Sequence, residues 1–398
     1  MVKNIDTGSS HWWIHDATRG IHAVRTNTVT SGHDKIIKAN RTEDEAEGTG
    51  IDVSPTGFKV RQSAGNWNGN NQTIIYVAIR RPDGYVSKPF TDGREVFGIA
   101  TGRGSSSIPA FYSHTSYNDL TKAFDVDFAL MRQPATSNQN TWAAARLMGA
   151  KLLKTNNDDE DTTDTNTVWD SNKGWHKGTY ASSNHQSWMW KLHSGFTTLA
   201  YKGDGVEGRQ LDHDLGKVPE MIWVKARDGG DENWMCYHFG MNGGSSPEDY
   251  WIILNNTSIQ GSGSQWYNTA PTSTYFKVGN QSGINANGDP MLAVLFSSVD
   301  GISKCGYYNG SNNTITITTG FQPRFLIVKR ITGSTNANWH MIDTTRGWGT
   351  ATYSLYLNDK DNHHNMGSVS TRLSTGFTLT NNNQWNGDGE KYIYYAHA

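Results

Sequence analysis

The residues that invite a chemical reading are few and scattered. GDGVEG, Gly203 to Gly208, has the GxGxxG spacing of a dinucleotide-binding turn. That chemistry needs a strand before the glycines and a helix N-terminus after them to hold the pyrophosphate. The following RQLDHDLGKVP, closed by Pro219, is too short for a packed crossover helix, so phosphate binding is set aside. The acidic runs from Glu43 to Glu47 and from Asp158 to Asp161 offer oxygen ligands for Ca²⁺, but neither has the EF-hand register of a glycine at the sixth position and a glutamate at the twelfth. Solvated turns are the simpler reading. Asp16 with Arg19, and Asp343 with Arg346, sit in D-x-T-R-G sequences that resemble a catalytic carboxylate beside a cation. The same spacing serves a turn in which the Asp accepts backbone N–H groups and the glycine takes a positive φ. His363 and His364 are adjacent with no third ligand at a metal spacing, so no metal and no cofactor is expected. A pair of glycosidase carboxylates can come from distant strands, and no such pair stands out.

The elements that would have to position these residues are most easily read in the last stretch, Phe321 to Ala398. It holds FLIVKR, NWHMIDTTRG, YSLYLN, TGFTLT and KYIYYAHA, separated by Gly/Asn/Asp-rich turns. Short β-branched and aromatic runs bounded by turn residues are strand signals, and no i, i+3, i+4 spacing is sustained. The same landmarks recur upstream, as a repeat search should ask first. HWWIHDATRG, KIIKAN, TGFKV and TIIYVAI form one copy. FDVDFALMR, NTWAAARLMG, KLLKTN and SWMWK form a second; PEMIWVK, NWMCYH, YWIILN, STYFKV and MLAVLF form a third. The expected architecture is all-β: four tandem β-sandwich-like repeats over residues 1–82, 83–196 (a linker plus the repeat), 197–299 and 300–398, with Trp12, Trp142, Trp234 and Trp339 in equivalent strands. The alternative is a propeller-like arrangement, although six strand candidates per copy exceed the four of a propeller blade. One apolar strand per copy ends in Asn40, Asn156, Asn255 or Asn358, each followed by a polar loop of different length and charge, read here as surface. The first copy starts inside a strand, so either the gene starts there or this is the trailing part of a longer polypeptide.

Composition agrees. Forty-two Gly, 15 Trp and 17 Tyr at 35% hydrophobic residues describe a turn-dense, aromatic-cored β protein, whereas a disordered chain lacks the aromatics. A net charge of −2 gives no electrostatic reason to expect nucleic acid or an anionic membrane surface. The two cysteines, Cys236 and Cys305, have no metal or redox spacing, and Cys236 reads as a small buried thiol within a strand. No basic segment followed by an apolar run opens the chain, so no signal peptide is expected. Runs such as MLAVLF are far short of the ~20 residues of a spanning helix, so no membrane insertion is expected.

AIRRPDGYV, TWAAARLMGAKLL, SWMWKLHSGFTTLAYKGDGVEGRQLDHDLGKVPEMIWVKARD, LFSSVDGISKCGYYNGSNNTITITTGFQPRFLIVKR, DTTRGWG and GEKYIYYAHA together resemble the repeat domain of tail-fibre-like structural proteins of marine tailed phages, over essentially the whole chain. The resemblance implies a virion protein of the tail or particle surface. Its implied partners are other virion proteins and a host cell-surface glycan or protein, and it implies a homo-oligomer, with a trimer favoured. It carries over no catalytic residue. On this reading the chain is a non-enzymatic adhesin whose contacts lie in the variable loops, with Asp158, Asp159, Asp161, His363 and His364 as candidates. Trp67, Trp266 and Trp385 are candidates for sugar stacking, against a packing role for each. The alternatives are a capsid decoration protein and a polysaccharide-degrading tail enzyme with two convergent carboxylates.

Overall fold

The computed structural model describes residues 1–15, 34–44, 46–48, 51–54, 57–60, 65–79, 90–104, 107–114, 123–177, 182–228, 230–333 and 337–398. It is all-β, built from antiparallel sheets. The last repeat shows how its sequence makes them. FLIVKR forms the strand Phe325–Arg330, in which every residue is buried, because both faces of the strand are covered. It pairs on one side with Trp339–Asp343 and on the other with the closing strand Lys391–His397. A lead strand, Ser303–Asn309, pairs with the outer edge of the closing strand. Tyr353–Tyr356 and His364–Asn365 extend the opposite edge.

The resulting six-stranded order, lead, closing, first, second, third and fourth, is reproduced twice upstream. In one case the six strands are Phe97–Thr101, Gln186–Trp190, Phe128–Arg132, Trp142–Ala145, Lys151–Lys154 and Thr162–Thr163. In the other they are Phe196–Lys202, Pro290–Phe296, Met221–Ala226, Met235–His238, Tyr250–Ile253 and Gly261–Ser262. The register is common to all three: Phe128 lies opposite Ala145, Met221 opposite His238 and Phe325 opposite Asp343.

Each six-stranded sheet has two buried faces. One packs on a small sheet of the same repeat: Leu326, Val328, Ile342 and Tyr394 meet Phe377 and Leu379 in the last repeat. Ile222, Val224 and Leu295 meet Phe276 and Val278 in the one before, and Ala129, Met131 and Met189 meet Phe111 and Trp175 in the one before that. These are sandwiches, six strands against two or three, and not four-stranded blades. Neighbouring strands of the last small sheet come close at Gly376, where an added Cβ would stand 1.9 Å from the Ile317 carbonyl oxygen of the paired strand, which is why the TGF motif needs its glycine. The other faces of all three sheets meet in a single shared core, with Leu130 and Trp190, Trp223 and Phe296, and Ile327 and Tyr395 among its members. Residues Phe90–Ala398 accordingly form one compact unit.

Met1–Pro89 form a separate unit. Its main sheet has the same order, with Ile74–Tyr76 as closing strand, Val2–Asn4 as first, then Trp13–Ile14, Asp34–Lys38 and Ala46–Gly48. Ile51–Ser54 and Gly57–Val60 form its small sheet. Among the described residues no helix is long and apolar enough to cross a membrane.

Candidate functional site: the seams between repeats

The best-defined polar constructions in the molecule repeat with the sheets. The Asn two residues past the end of the third strand folds back onto the start of the second. Oδ1 of Asn255 accepts the backbone N–H of Trp234 (2.9 Å) while its Nδ2 donates to Asn233 Oδ1 (2.8 Å). Asn358 does the same with Trp339 (2.7 Å) and Asn338 (2.8 Å), and Asn156 with Thr141 (2.9 Å) and Asn140 (3.0 Å). Asn40 accepts from Trp12 (3.1 Å) and pairs with His11 (3.2 Å). These clasps fix the equivalences, and they correct one: the counterpart of Trp12, Trp234 and Trp339 is Thr141. Trp142 lies one residue further along the same strand, and a one-residue step places a side chain on the opposite face. It is half-buried there, packing on the repeat's own inner layer.

In each compact-unit repeat the first strand, largely apolar, carries a cation at the same register, Arg132, Lys225 or Lys329, none of them exposed; in the last repeat Arg330 follows Lys329. Each reaches the backbone carbonyls of the loop that follows the clasp Asn in another repeat. Lys225 Nζ donates to the Asp158 oxygen (2.9 Å) and Lys329 Nζ to the Thr257 oxygen (3.2 Å). The clasped tryptophans reach the same neighbours: Trp234 Nε1 donates to the Lys154 oxygen and Trp339 Nε1 to the Ile253 oxygen, both at 2.8 Å. The third seam closes the ring with a different side chain. Where the others have Trp, this repeat has Thr141, and Arg132 does both jobs. Its guanidinium contacts Thr141 Oγ1 (3.2 Å) and donates to the Tyr356 oxygen (3.1 Å), the position an indole would reach. It also donates to the oxygens of Asp359 (2.7 Å) and Asp361. Thr155 Oγ1 adds a bond to the Leu357 oxygen (2.7 Å). Head-to-tail contacts of one kind thus run through three repeats and return to the first.

Burial governs the electrostatics. It pulls Lys329 down to about 7, helped by Arg330, Lys225 down to about 8, and Arg132 down to about 10. An ammonium or guanidinium in a dry seam is retained only where carbonyl oxygens replace its water. His193, His238 and His340 are pushed down to about 3 each, again first by burial. Burial also raises the Cys236 and Cys305 thiols well above their usual range, and both are buried free cysteines.

The residues singled out in the sequence fall as follows. Asp158 and its neighbours are not a free surface loop: Asp158 supplies a seam carbonyl, and the Asp161 carboxylate pairs with Arg227 (2.9 Å) and Lys151 (2.9 Å). The Asp161 N–H donates to the Arg227 carbonyl. Asp159 takes Lys154 and Asn157, an arrangement that holds its carboxyl below the usual range, chiefly through the Lys154 bond. The His363 N–H donates to the Pro134 oxygen across the third seam (2.7 Å), and its ring leans on Tyr353. The His364 ring stacks on Tyr356. Trp67, Trp266 and Trp385 are buried, so none presents a face for sugar stacking. Trp67 packs on Trp13, and Trp385 on His340.

Asp343 is a turn residue, as its motif suggested. Its oxygens accept from the N–H groups of Thr345 and Arg346, from Arg346 Nε (2.6 Å) and from the Trp188 indole (3.1 Å), and Gly347 takes φ +127°. Asp16, Arg19, and Glu45 of the first acidic run lie outside the described residues. GDGVEG is a turn closed by Asp204 accepting from the Val206 N–H, and a strand, Arg209–Asp212, follows it where a phosphate site needs a helix. Among the described residues no group of three or more His, Cys, Asp or Glu is placed to hold a metal.

The seam cations were missed in the sequence, although a signal exists. MVK, ALMR, WVK and IVK each place a cation in an apolar strand, nine residues before the clasped residue in the first three copies and ten in the last. No curated protein and no solved structure matches the chain. A family model matches residues 1–81 and 113–398, and the chain belongs to that family, described as a domain of unknown function (DUF7483).

Proposed function

We propose that the chain is a non-catalytic structural protein of a tailed-phage virion, of the tail-fibre type, in which the repeats build a rigid body. The observation that supports this reading is where the repeated polar residues go. The side chains that recur from copy to copy are engaged in architecture: the clasp Asn ties the second and third strands within its own repeat, and the seam cation and the indole join one repeat to the next. A site serving a common reaction would recur in every copy, and the Asp343–Arg346 pair has a sequence counterpart only in Asp16 and Arg19: in the other two repeats the matching registers hold Ala145 and His238.

Host contact then falls to surfaces outside the seams. One is the turn carrying Tyr267, which is 41% exposed with the Lys277 ammonium 5.4 Å from its ring centre, an amphipathic pairing suited to a glycan. Imaging purified particles with an antibody against this chain tests the reading. Label on the tail is the expected result. Label on the head would replace the tail-fibre reading with capsid decoration, and absence of the chain from washed particles would remove the virion reading altogether.

A further inference from the structure

The first unit carries on its surface the face that the other three repeats bury against one another. The strand pairings give the correspondence residue by residue. Val2 opposite Tyr76 matches Val328 opposite Tyr394, and Lys3 opposite Ile75 matches Lys329 opposite Ile393. Ile75, Val77 and Ile79 therefore stand where Ile393, Tyr395 and His397 stand in the last repeat, and where Leu292, Val294 and Phe296 stand in the one before. Those counterparts are buried, at 0–1% exposure, on the shared-core side of their sheets. In the first unit the same positions are 41%, 53% and 91% exposed. Met1 and Ile5, the counterparts of Ile327 and Ile331, are 40% and 51% exposed, against 1% and 0%. A contiguous apolar face of this kind on a sheet marks an interaction surface.

The seam groups of the first unit are also in place. The clasp is formed by Asn40 with Trp12 and His11. Lys3 Nζ donates to the Ser10 oxygen (2.9 Å), the bond that Lys329 makes to the Ala337 oxygen within its own repeat. The loop after Asn40, whose counterparts form the seams, is exposed from Arg41 to Asp44.

We propose that this face docks on two further copies of itself, so that three chains join through their first units in a ring built like the three-repeat body that each chain already contains. The occupant is a second copy because the chain itself demonstrates the geometry. Sheets with this strand order, this cation and this clasp pack head to tail and close at three. The template also specifies the contacts. Lys3 of one copy donates to the Thr42 carbonyl of the next, as Lys225 does to Asp158 and Lys329 to Thr257, each two residues past the clasp Asn. The Trp12 indole donates to the Lys38 carbonyl, as Trp234 and Trp339 do to Lys154 and Ile253, each two residues before it. The inference does not depend on the virion reading.

Sedimentation equilibrium of the full chain, with V77D/I79D and W12F variants, tests it. The expected result is a trimer that V77D/I79D converts to monomer while the melting of residues 90–398 and the β-sheet circular dichroism stay unchanged. W12F removes one seam bond per interface and should raise the dissociation constant roughly five- to tenfold. A monomer at every concentration would leave the face to a different chain and overturn the proposal. So would a dimer, or a trimer that survives V77D/I79D. If V77D/I79D unfolds the first unit, W12F decides: unchanged association overturns the proposal, and weakened association supports it.

Discussion

The indole N–H of Trp339 donates to the carbonyl oxygen of Ile253 at 2.8 Å, so a residue clasped at the start of one repeat's second strand is tied to the third strand of the repeat before it. Trp234 is tied to Lys154 in the same way. Neither indole touches an acceptor side chain; both read backbone. Trp339 is also fully buried in the shared core, so two contributions can be separated. Trp339→Phe keeps most of the ring and leaves the Ile253 oxygen without its donor, at a cost of about 1–2 kcal/mol. Trp339→Ala adds a cavity and should cost about 3–5 kcal/mol. Urea unfolding of both variants measures the two costs, and equal losses would mean that the seam bond contributes nothing of its own.

Arg132 replaces a Lys and a Trp at once, which makes it the least exchangeable of the three seam cations. Arg132→Lys retains the charge but has no planar fork to reach Tyr356 and Asp359 together. Carbonyls at Tyr356, Asp359 or Asp361 are then left in a dry seam, and a loss of about 2–3 kcal/mol is expected. Lys225→Arg and Lys329→Arg test the converse. Each adds bulk beside an indole that already fills the second position, so neither should stabilise. A neutral Arg132→Lys in thermal or urea melts would show that one donor suffices there.

The strands were legible because their pattern is local. FLIVKR, IWVK and KYIYYAH carry their β signal in residue type and spacing, and the Asn just past each third strand marked the repeats even before its clasp was known. The seams were not legible for a physical reason. Lys225, Lys329 and both indoles bond to backbone carbonyls, so the accepting loops keep their function while varying in length and charge. That variation is what made them look like free surface. Trp142 was misaligned because the clasped residue in that copy is Thr141, and its loss of the indole is compensated by Arg132, a change no pairwise match of tryptophans reveals. Trp67, Trp266 and Trp385 sit among polar turn residues in the chain, and only their packing against the sheets shows that they belong to the core.

Stability should climb with pH over a wide range. His193, His238 and His340 have folded-state values near 3 against an ordinary value near 6.5, so between those limits the unfolded chain binds protons that the fold does not. Their contribution is present above about pH 6.5 and is lost as the pH falls. Asp127, pushed up to about 6 by burial, works the other way below that value, but it is one group against three. Lys329 and Lys225, at about 7 and about 8 in the fold, bind fewer protons than the unfolded chain up to about pH 10, so stability rises again as the seam ammonium is neutralised. Urea midpoints at about pH 5, 7 and 9 should increase in that order, and Lys329→Met should flatten the upper step. Midpoints independent of pH would mean that these groups are solvated.

The most direct test of the seams is a pair of loop deletions. Removing Asp158 to Asp161 takes away the carbonyl that receives Lys225 and the carboxylate that receives Arg227. That leaves Lys225 with only the Ala226 oxygen (2.8 Å) and the largely buried Arg227 without its carboxylate, and breaking such a pair costs about 3–5 kcal/mol. A solvated loop would respond otherwise, since halving its length changes the closure entropy by only about 0.6 kcal/mol. Removing Arg41 to Asp44, the exposed counterpart in the first unit, is the control. Its effect on melting should be small, whereas its effect on association should be large, because Thr42 lies within it. Equal and small losses of stability for the two deletions would return the loop after Asn156 to the surface and restore it as a candidate contact for a host receptor.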